Sequence, residues 1–330
     1  MNILYALFVI TVLLLLVSIG VQVPVLAWFF GVIIPYIAIL IFIVGICYRV
    51  IKWARAPVPF RIPTTCGQQK SLPWIKSSNL EAPYNTLGVL IRMVLEVLFF
   101  RSLFRNTKQG LKDGPKLVYG SNYYLWLGAL AFHWSFLIIF IRHYRFFSDP
   151  VPFFVNFVQY FDGLFQIGVP ILYLTDVVIV AALTYLFLRR VLDLRLRYIS
   201  LVADYFALFL LLGIVLSGIL MRYFFKTDIV AVKELTIGLL SFHPTIPEGV
   251  GTLFFIHLFM VSVLLIYFPF SKLLHLAGVF LSPTRNLTAN SREKRHINPW
   301  NYPVKVHTYE EWEEDFKEKM KKAGYTLERE

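Results

Sequence analysis

Cysteine is nearly absent from this chain: Cys47 and Cys66 are the two in 330 residues. Two thiols exclude a disulfide framework, a four-thiolate zinc site and an iron–sulfur cluster, and no C-x-x-C-H haem-attachment motif occurs. Charge is scarce too, at 16% of residues against about 25% in soluble domains. Apolar residues make up 58% and mean hydropathy is +0.65. An ordinary soluble globule, a disordered chain and low-complexity sequence are all excluded. There is no internal repeat and no glycine-rich nucleotide loop. Neither a basic leader nor an Ala-x-Ala cleavage site brackets the first apolar run, which is expected to stay as an uncleaved anchor.

What is present is a set of long apolar runs. No charged side chain precedes Arg49, so residues 1–48 hold two spans of about 20 residues each, hinged at Gln22, Val23 and Pro24. Four more runs follow at 117–141, 163–188, 198–221 and 249–281, carrying His133, Asp176, Asp204 and His257 respectively. These predict an all-α integral membrane protein, a six-helix transmembrane bundle. A seventh apolar stretch, 84–104, is interrupted by Arg92, Glu96 and Arg101. Leu87, Leu90, Ile91, Val94, Leu95 and Leu98 share one helical face there, the pattern of a helix lying in the interface or against a partner.

The net charge of +12 belongs to loops, not to a nucleic-acid surface. Arg49 through Lys116, then Arg189, Arg190, Arg195 and Arg197, then the tail from Arg285 onward, all fall on one side. Loops on the other side carry only Arg142, Arg145, Arg222, Lys226 and Lys233. Lys and Arg bias places both termini in the cytoplasm, for a multi-pass protein of the cell membrane. The predicted organisation is two N-terminal spans (1–48), a cytoplasmic loop with an amphipathic helix (49–116), a four-helix core (117–281) and a cytoplasmic tail (282–330). No catalytic domain fits in the soluble parts, so chemistry must lie inside the bundle or on a partner.

Four histidines lie in or at the ends of two spans: His133 and His143 on the third, His257 and His275 on the sixth. Buried ionisable groups are costly in a membrane and mark functional sites. Haem needs an axial ligand on each side of its plane, and imidazole supplies it. The two spans run antiparallel, so His143 should face His257 near the outer side and His133 should face His275 near the cytoplasmic side. The ten-residue and eighteen-residue spacings correspond to rises of about 15 and 27 Å on a straight helix. The pairs cannot both be level unless tilt and a bend at Pro269 absorb the difference.

With this spacing the chain resembles the gamma subunit of respiratory nitrate reductases, a di-haem cytochrome b, with a five-helix core like that family's and one extra helix in front. The loop Arg61-Ile-Pro-Thr-Thr-Cys66-Gly-Gln-Gln-Lys-Ser-Leu-Pro-Trp-Ile-Lys76, the segment Phe99-Phe-Arg-Ser-Leu-Phe-Arg-Asn106 and the tail Ser282-Pro-Thr-Arg-Asn286 resemble the membrane cytochrome b of the sulfite-reduction-associated Dsr complex. The resemblance implies two non-covalent b haems, ligated by His133, His143, His257 and His275. It implies an electron-transfer subunit of a quinol-dependent oxidoreductase complex that oxidises menaquinol near the outer haem. Its electrons would pass to a cytoplasmic iron–sulfur subunit related to heterodisulfide reductase, with further membrane and periplasmic subunits and lipid as neighbours.

Arg142 and Arg145 flank the outer pair and could hold haem propionates. Asp176, placed near the middle of the fourth span, could accept quinol protons, although bonding to a neighbouring helix ranks ahead; Asp204 reads as structural. His243 and Glu248 in an outer loop could line a quinol entrance. His296 and His307 in the tail have no evident partner, and Cys66 in the loop reads as inert. A transporter or proton path built on buried His and Asp, without haem, is the alternative; it would show repeated halves and broken helices.

Overall fold

The structure, a computed structural model, describes residues 1–58, 67–104, 108–163, 165, 167–168, 170–293 and 307–328. Cys66, His296 and the opening of the loop motif fall outside them. The chain forms α1 (Asn2–Gly20), α2 (Pro24–Ala54, with one π turn at Phe29–Ile33), α3 (Thr86–Phe99), a hairpin of β1 (Lys108–Lys112) and β2 (Lys116–Gly120), and α4 (Tyr123–His143). It continues with α5 (Phe153–Asp162), α6 (Leu174–Leu192), α7 (Val202–Ile219), α8 (Ile229–Leu240), α9 (Thr252–Tyr267) and α10 (Tyr309–Lys322).

By length and composition five helices can cross a membrane: Asn2–Gly20, Pro24–Ala54, Tyr123–Phe146, Val202–Phe224 and Thr252–Phe270. The sixth is α6. Asp176 in its first turn and Arg189 and Arg190 in its last leave only residues 177–188 uncharged between them. The expected start of this span at residue 163 is therefore corrected to Leu174. Residues 163–173 hold Gly163, Gly168 and Pro170, and Gly168 has a positive φ of 86°, which no helix continues through.

α1, α2, α7 and α9 share one core. Val17 and Phe30 meet Phe255 and Phe259, and Ile10, Leu210 and Met260 interlock beside them. A second core joins Ile179 and Leu183 of α6 to Leu211 of α7, with Phe132 and Ile139 of α4 packed against it. Helices in lipid associate through close packing rather than the hydrophobic effect, so small residues matter at contacts. At Gly128 of α4 a Cβ would stand 2.5 Å from the Tyr185 ring of α6, so only glycine allows this approach.

The termini of α2, α6 and α9 and the starts of α1, α4 and α7 lie on one face, called here the basic face. Asn2 Nδ2 donates to Ser200 O across it at 2.8 Å. The loop after α2 and the tail after α9 are stitched together on this face. Ala289 N donates to Pro83 O at 2.6 Å, Asn290 Nδ2 to Tyr84 O at 3.2 Å, and Lys70 pairs with Glu293 at 2.9 Å. The hairpin, which charge alone hid, closes Lys112 on Lys116 through a three-residue loop, Asp113, Gly114 and Pro115, with positive φ at Asp113 and Gly114, the left-handed backbone that such tight turns use.

Candidate cofactor-binding site

The four histidines meet as two crossed pairs. His143 on α4 and His257 on α9 have ring centroids 6.2 Å apart with planes only 8° from parallel. His133 and His275 lie 5.8 Å apart with planes at 82°. In each ring Nδ1 is already engaged. His133 bonds Ala129 O at 2.8 Å, His143 bonds Ile139 O at 2.7 Å, and His275 bonds Lys272 O at 2.9 Å. For His257 the partner is Ser217 Oγ at 2.9 Å. The Ser217 hydroxyl donates to Ile214 O, so it accepts from the imidazole N–H. Carbonyl and hydroxyl acceptors on Nδ1 fix its proton there and leave each Nε2 lone pair free. A metal-bound histidine needs this arrangement, its second nitrogen oriented and made more basic by an acceptor.

The separations also fit a shared ligand. Two metal–nitrogen bonds of about 2.0 Å and about 1.1 Å from each nitrogen to its ring centre sum to about 6.2 Å. Among the described residues α4 packs on α6, whereas α9 packs on α1, α2 and α7. α4 and α9 are not close-packed on one another, and the histidines reach across the space between. Among the described residues no cluster of three or more His, Cys, Asp or Glu could hold a bare metal ion. The donor set therefore suits a group that brings its own equatorial ligands, as haem does.

The expected continuation of the last span as helix to residue 281 is corrected. α9 ends at Tyr267, and two 3₁₀ turns, Phe268–Phe270 and Lys272–Leu274, follow around Ser271 in extended conformation (φ −112°, ψ 176°). The five-turn spacing of His257 and His275 does not apply. A break, rather than a bend, brings His275 level with His133. Pro269 causes it by lacking an N–H and clashing with the preceding turn. Its ring seats on Gly45 of α2, where a Cβ would lie 2.7 Å away.

Arg142 is placed differently from the expectation of a propionate partner. It is nearly buried, contacts Asp162 at 3.1 Å and Asp176 at 2.6 Å, and stacks 3.9 Å from the centre of the Tyr173 ring. Arg222 covers the same ring at 4.0 Å, and Tyr223 donates to Asp176 at 2.8 Å. Asp176 sits in the first turn of α6 instead of mid-span, bonded to its neighbours as the structural reading had it. Two carboxylates, one guanidinium and their hydrogen bonds form a closed set. Arg145 bonds Gln159 at 2.7 Å and is half-buried. Asp204 caps its own helix and pairs with Lys272 at 2.8 Å, a structural role. His243 and Glu248 are exposed, and His243 bonds Ser241 O within its own turn. His307 does have a partner, Asp315 at 3.4 Å.

Sequence reasoning missed three contributors. Ser217 is an ordinary serine in an apolar run, with no signal that it serves His257. Phe100, which ends α3 with φ 50°, packs edge-on to His133 at 4.8 Å. Finally, a cavity of about 530 Å³ opens beside His143, lined by Phe140, Tyr144, Phe147, Phe154 and Leu240.

The chain is similar to known proteins. Two curated relatives are both described as the Hdr-like menaquinol oxidoreductase cytochrome b-like subunit. That of Archaeoglobus fulgidus is 46% identical over 279 residues, 82% of this chain and 83% of the relative. That of Archaeoglobus profundus is 42% identical over 274 residues, 81% of each chain. Residues 92–291, which run from α3 past His275 and include all four histidines, match the family model of the nitrate reductase gamma subunit. The chain belongs to the nitrate reductase gamma subunit family.

Proposed function

We propose that this chain is a di-haem b membrane cytochrome that takes electrons from menaquinol on the face opposite the basic one and delivers them to an iron–sulfur partner on the basic face. The basic face is then cytoplasmic, as its Lys and Arg require. The observation that carries this reading is the pair of crossed histidine contacts, each with Nδ1 already occupied. Bound haem would supply reversible one-electron chemistry, splitting the two-electron oxidation of a quinol. The protein's own part is to hold and exclude. His143 with His257 and His133 with His275 offer Nε2 atoms at two levels of the bundle. Ser217 and three backbone carbonyls keep those rings in one tautomer and one orientation.

The aromatic cavity beside His143 suits a naphthoquinol ring. Quinol oxidation also releases two protons, and Glu248 with His243 on the neighbouring outer loop can take them toward the outer aqueous phase. Arg145 is the propionate partner that remains, since Arg142 is committed to two carboxylates. On the basic face, the loop and tail stitched by Ala289, Asn290 and Lys70 form a docking platform for the iron–sulfur subunit. α10 adds an exposed stripe, Tyr309, Trp312 and Phe316. The relatives' description and the loop and tail motifs support assembly with heterodisulfide-reductase-like subunits, in a complex associated with sulfite reduction.

A reduced-minus-oxidised optical spectrum of the purified chain tests the proposal, with b-type bands expected and their absence fatal to it. His143→Ala and His257→Ala should remove the same haem, and His133→Ala and His275→Ala the other. A quinone-analogue inhibitor should shift the bands lost with His143; a shift confined to the other haem refutes the outer quinol site.

A further inference from the structure

The orientation of α3 is inverted relative to a surface helix of a soluble domain. Its polar residues face inward. Arg92 is 4% exposed and its Nη1 donates to Thr284 O at 2.9 Å, while Glu96 accepts from Ser102 and pairs with Arg285 at 2.9 Å. Its apolar residues face out: Leu87, Leu90, Ile91, Val94 and Leu98 are all exposed, an uncharged stripe spaced as one helical face. A stripe of this kind needs an apolar cover.

The depth of α3 identifies the cover. Its last carbonyls are held by two tryptophans of the span α4: Trp126 Nε1 donates to Phe99 O at 2.7 Å and Trp134 Nε1 to Leu98 O at 3.1 Å. Those donors flank the middle of the stretch 126–134, seven residues beyond the start of α4 at Tyr123. At about 1.5 Å per residue the carboxyl end of α3 lies about 10 Å inside the start of that span. Half of a hydrocarbon core is about 15 Å. A water-soluble subunit does not reach that depth, whereas acyl chains fill it. The N-terminal end, capped by Asn85 and tied through Tyr84 to the tail, stays with the aqueous loop.

We propose that α3 is a half-inserted helix of the cytoplasmic leaflet, sloping from Asn85 at the headgroups to Phe99 among the acyl chains, with lipid as the occupant of its apolar face. The stripe extends the lipid-facing surface of α4, where Leu127, Leu137 and Phe140 are likewise exposed. Partner docking then falls to the tail and the polar loop, not to this helix. The inference stands whether or not haem is bound.

Spin-label accessibility of the full chain in phosphatidylcholine–phosphatidylglycerol nanodiscs, without partner subunits, tests it. In a Cys47→Ser, Cys66→Ser background, single cysteines at Leu87, Leu90, Val94 and Leu98 would carry nitroxides. Leu137→Cys calibrates lipid and Leu111→Cys, on the exposed hairpin strand β1, calibrates water. Relaxation by oxygen relative to a water-soluble nickel chelate should rise from Leu87 to Leu98, ending several-fold above the Leu111 label and near the Leu137 label. All four positions are exposed, so if one variant fails to fold the other three still define the gradient. Nickel-dominated relaxation at Val94 and Leu98, matching Leu111, would overturn the proposal and return the stripe to a protein partner.

Discussion

At the scale of single residues, two side chains separate framework from cofactor chemistry. Ser217 accepts the Nδ1 proton of His257 and so strengthens that ring as a donor. Replacing it with alanine should leave haem content unchanged but raise the reduction potential of the outer centre alone, because a poorer donor stabilises the ferric state less. Redox titration of the Ser217→Ala protein measures this, and a shift in the inner centre instead would misassign the serine. Arg142 belongs to the other class. Removing it strands Asp162 and Asp176 in a buried site, a loss of the kind that costs about 3–5 kcal/mol. Arg142→Leu should therefore lower the unfolding temperature sharply. Adding Asp162→Asn and Asp176→Asn should recover part of the loss, which a propionate role for Arg142 would not allow.

At the scale of elements, the crossed contacts of His143 with His257 and of His133 with His275 were readable because the four histidines lie in or at the ends of two apolar runs and antiparallel spans can match their ends in only one crossed order. The break after Tyr267 was readable in kind, from Pro269, but not in extent. Hydropathy continues unbroken through Phe270 and past Lys272, and only the seat on Gly45 shows where the chain turns. The same blindness misplaced the start of α6, since residues 163–173 are apolar yet carry Gly163, Gly168 and Pro170. Asp113-Gly114 signalled the hairpin, but its lysines were counted only as charge. For α3 the periodicity identified two faces and could not say which solvent each prefers. The break is itself testable. Pro269→Ala restores an amide donor and lets α9 extend, which should move His275 off its level. Loss of the inner haem with the outer retained is the expected result; unchanged occupancy of both would show that Ser271 alone sets the break.

At the scale of the molecule, the basic-face platform is one unit that a truncation must respect. Cutting after Ser282 would strip Arg92 of Thr284 and Glu96 of Arg285, whereas ending the chain after Glu293 keeps those bonds and the Lys70–Glu293 pair. The shorter protein should retain both haems and their reduction by quinol but lose the iron–sulfur partner on purification; partner retention with full electron transfer would remove the α10 region from docking. The stitch itself should be insensitive to pH near neutrality. The hydrogen bond and charge of Glu293 hold the Lys70 ammonium above the ordinary lysine range. A raised value means the contribution is complete below the unfolded lysine pKa and is lost only as pH climbs through the folded one.

The brevity of α6 bears on the bilayer around the protein. Between Asp176 and Arg189 its uncharged stretch, residues 177–188, rises only about 18 Å, against a hydrocarbon thickness of about 30 Å. Val177 and Leu188 at its two ends are both exposed, so lipid meets this short stretch directly. A stretch this short is met by thinning of the bilayer, by snorkelling of Arg189 and Arg190 or by neighbouring protein, while Tyr123–Phe146 beside it is long enough to cross. Where thinning is the response its cost grows with acyl chain length, so longer lipid chains would be felt on this flank before the others.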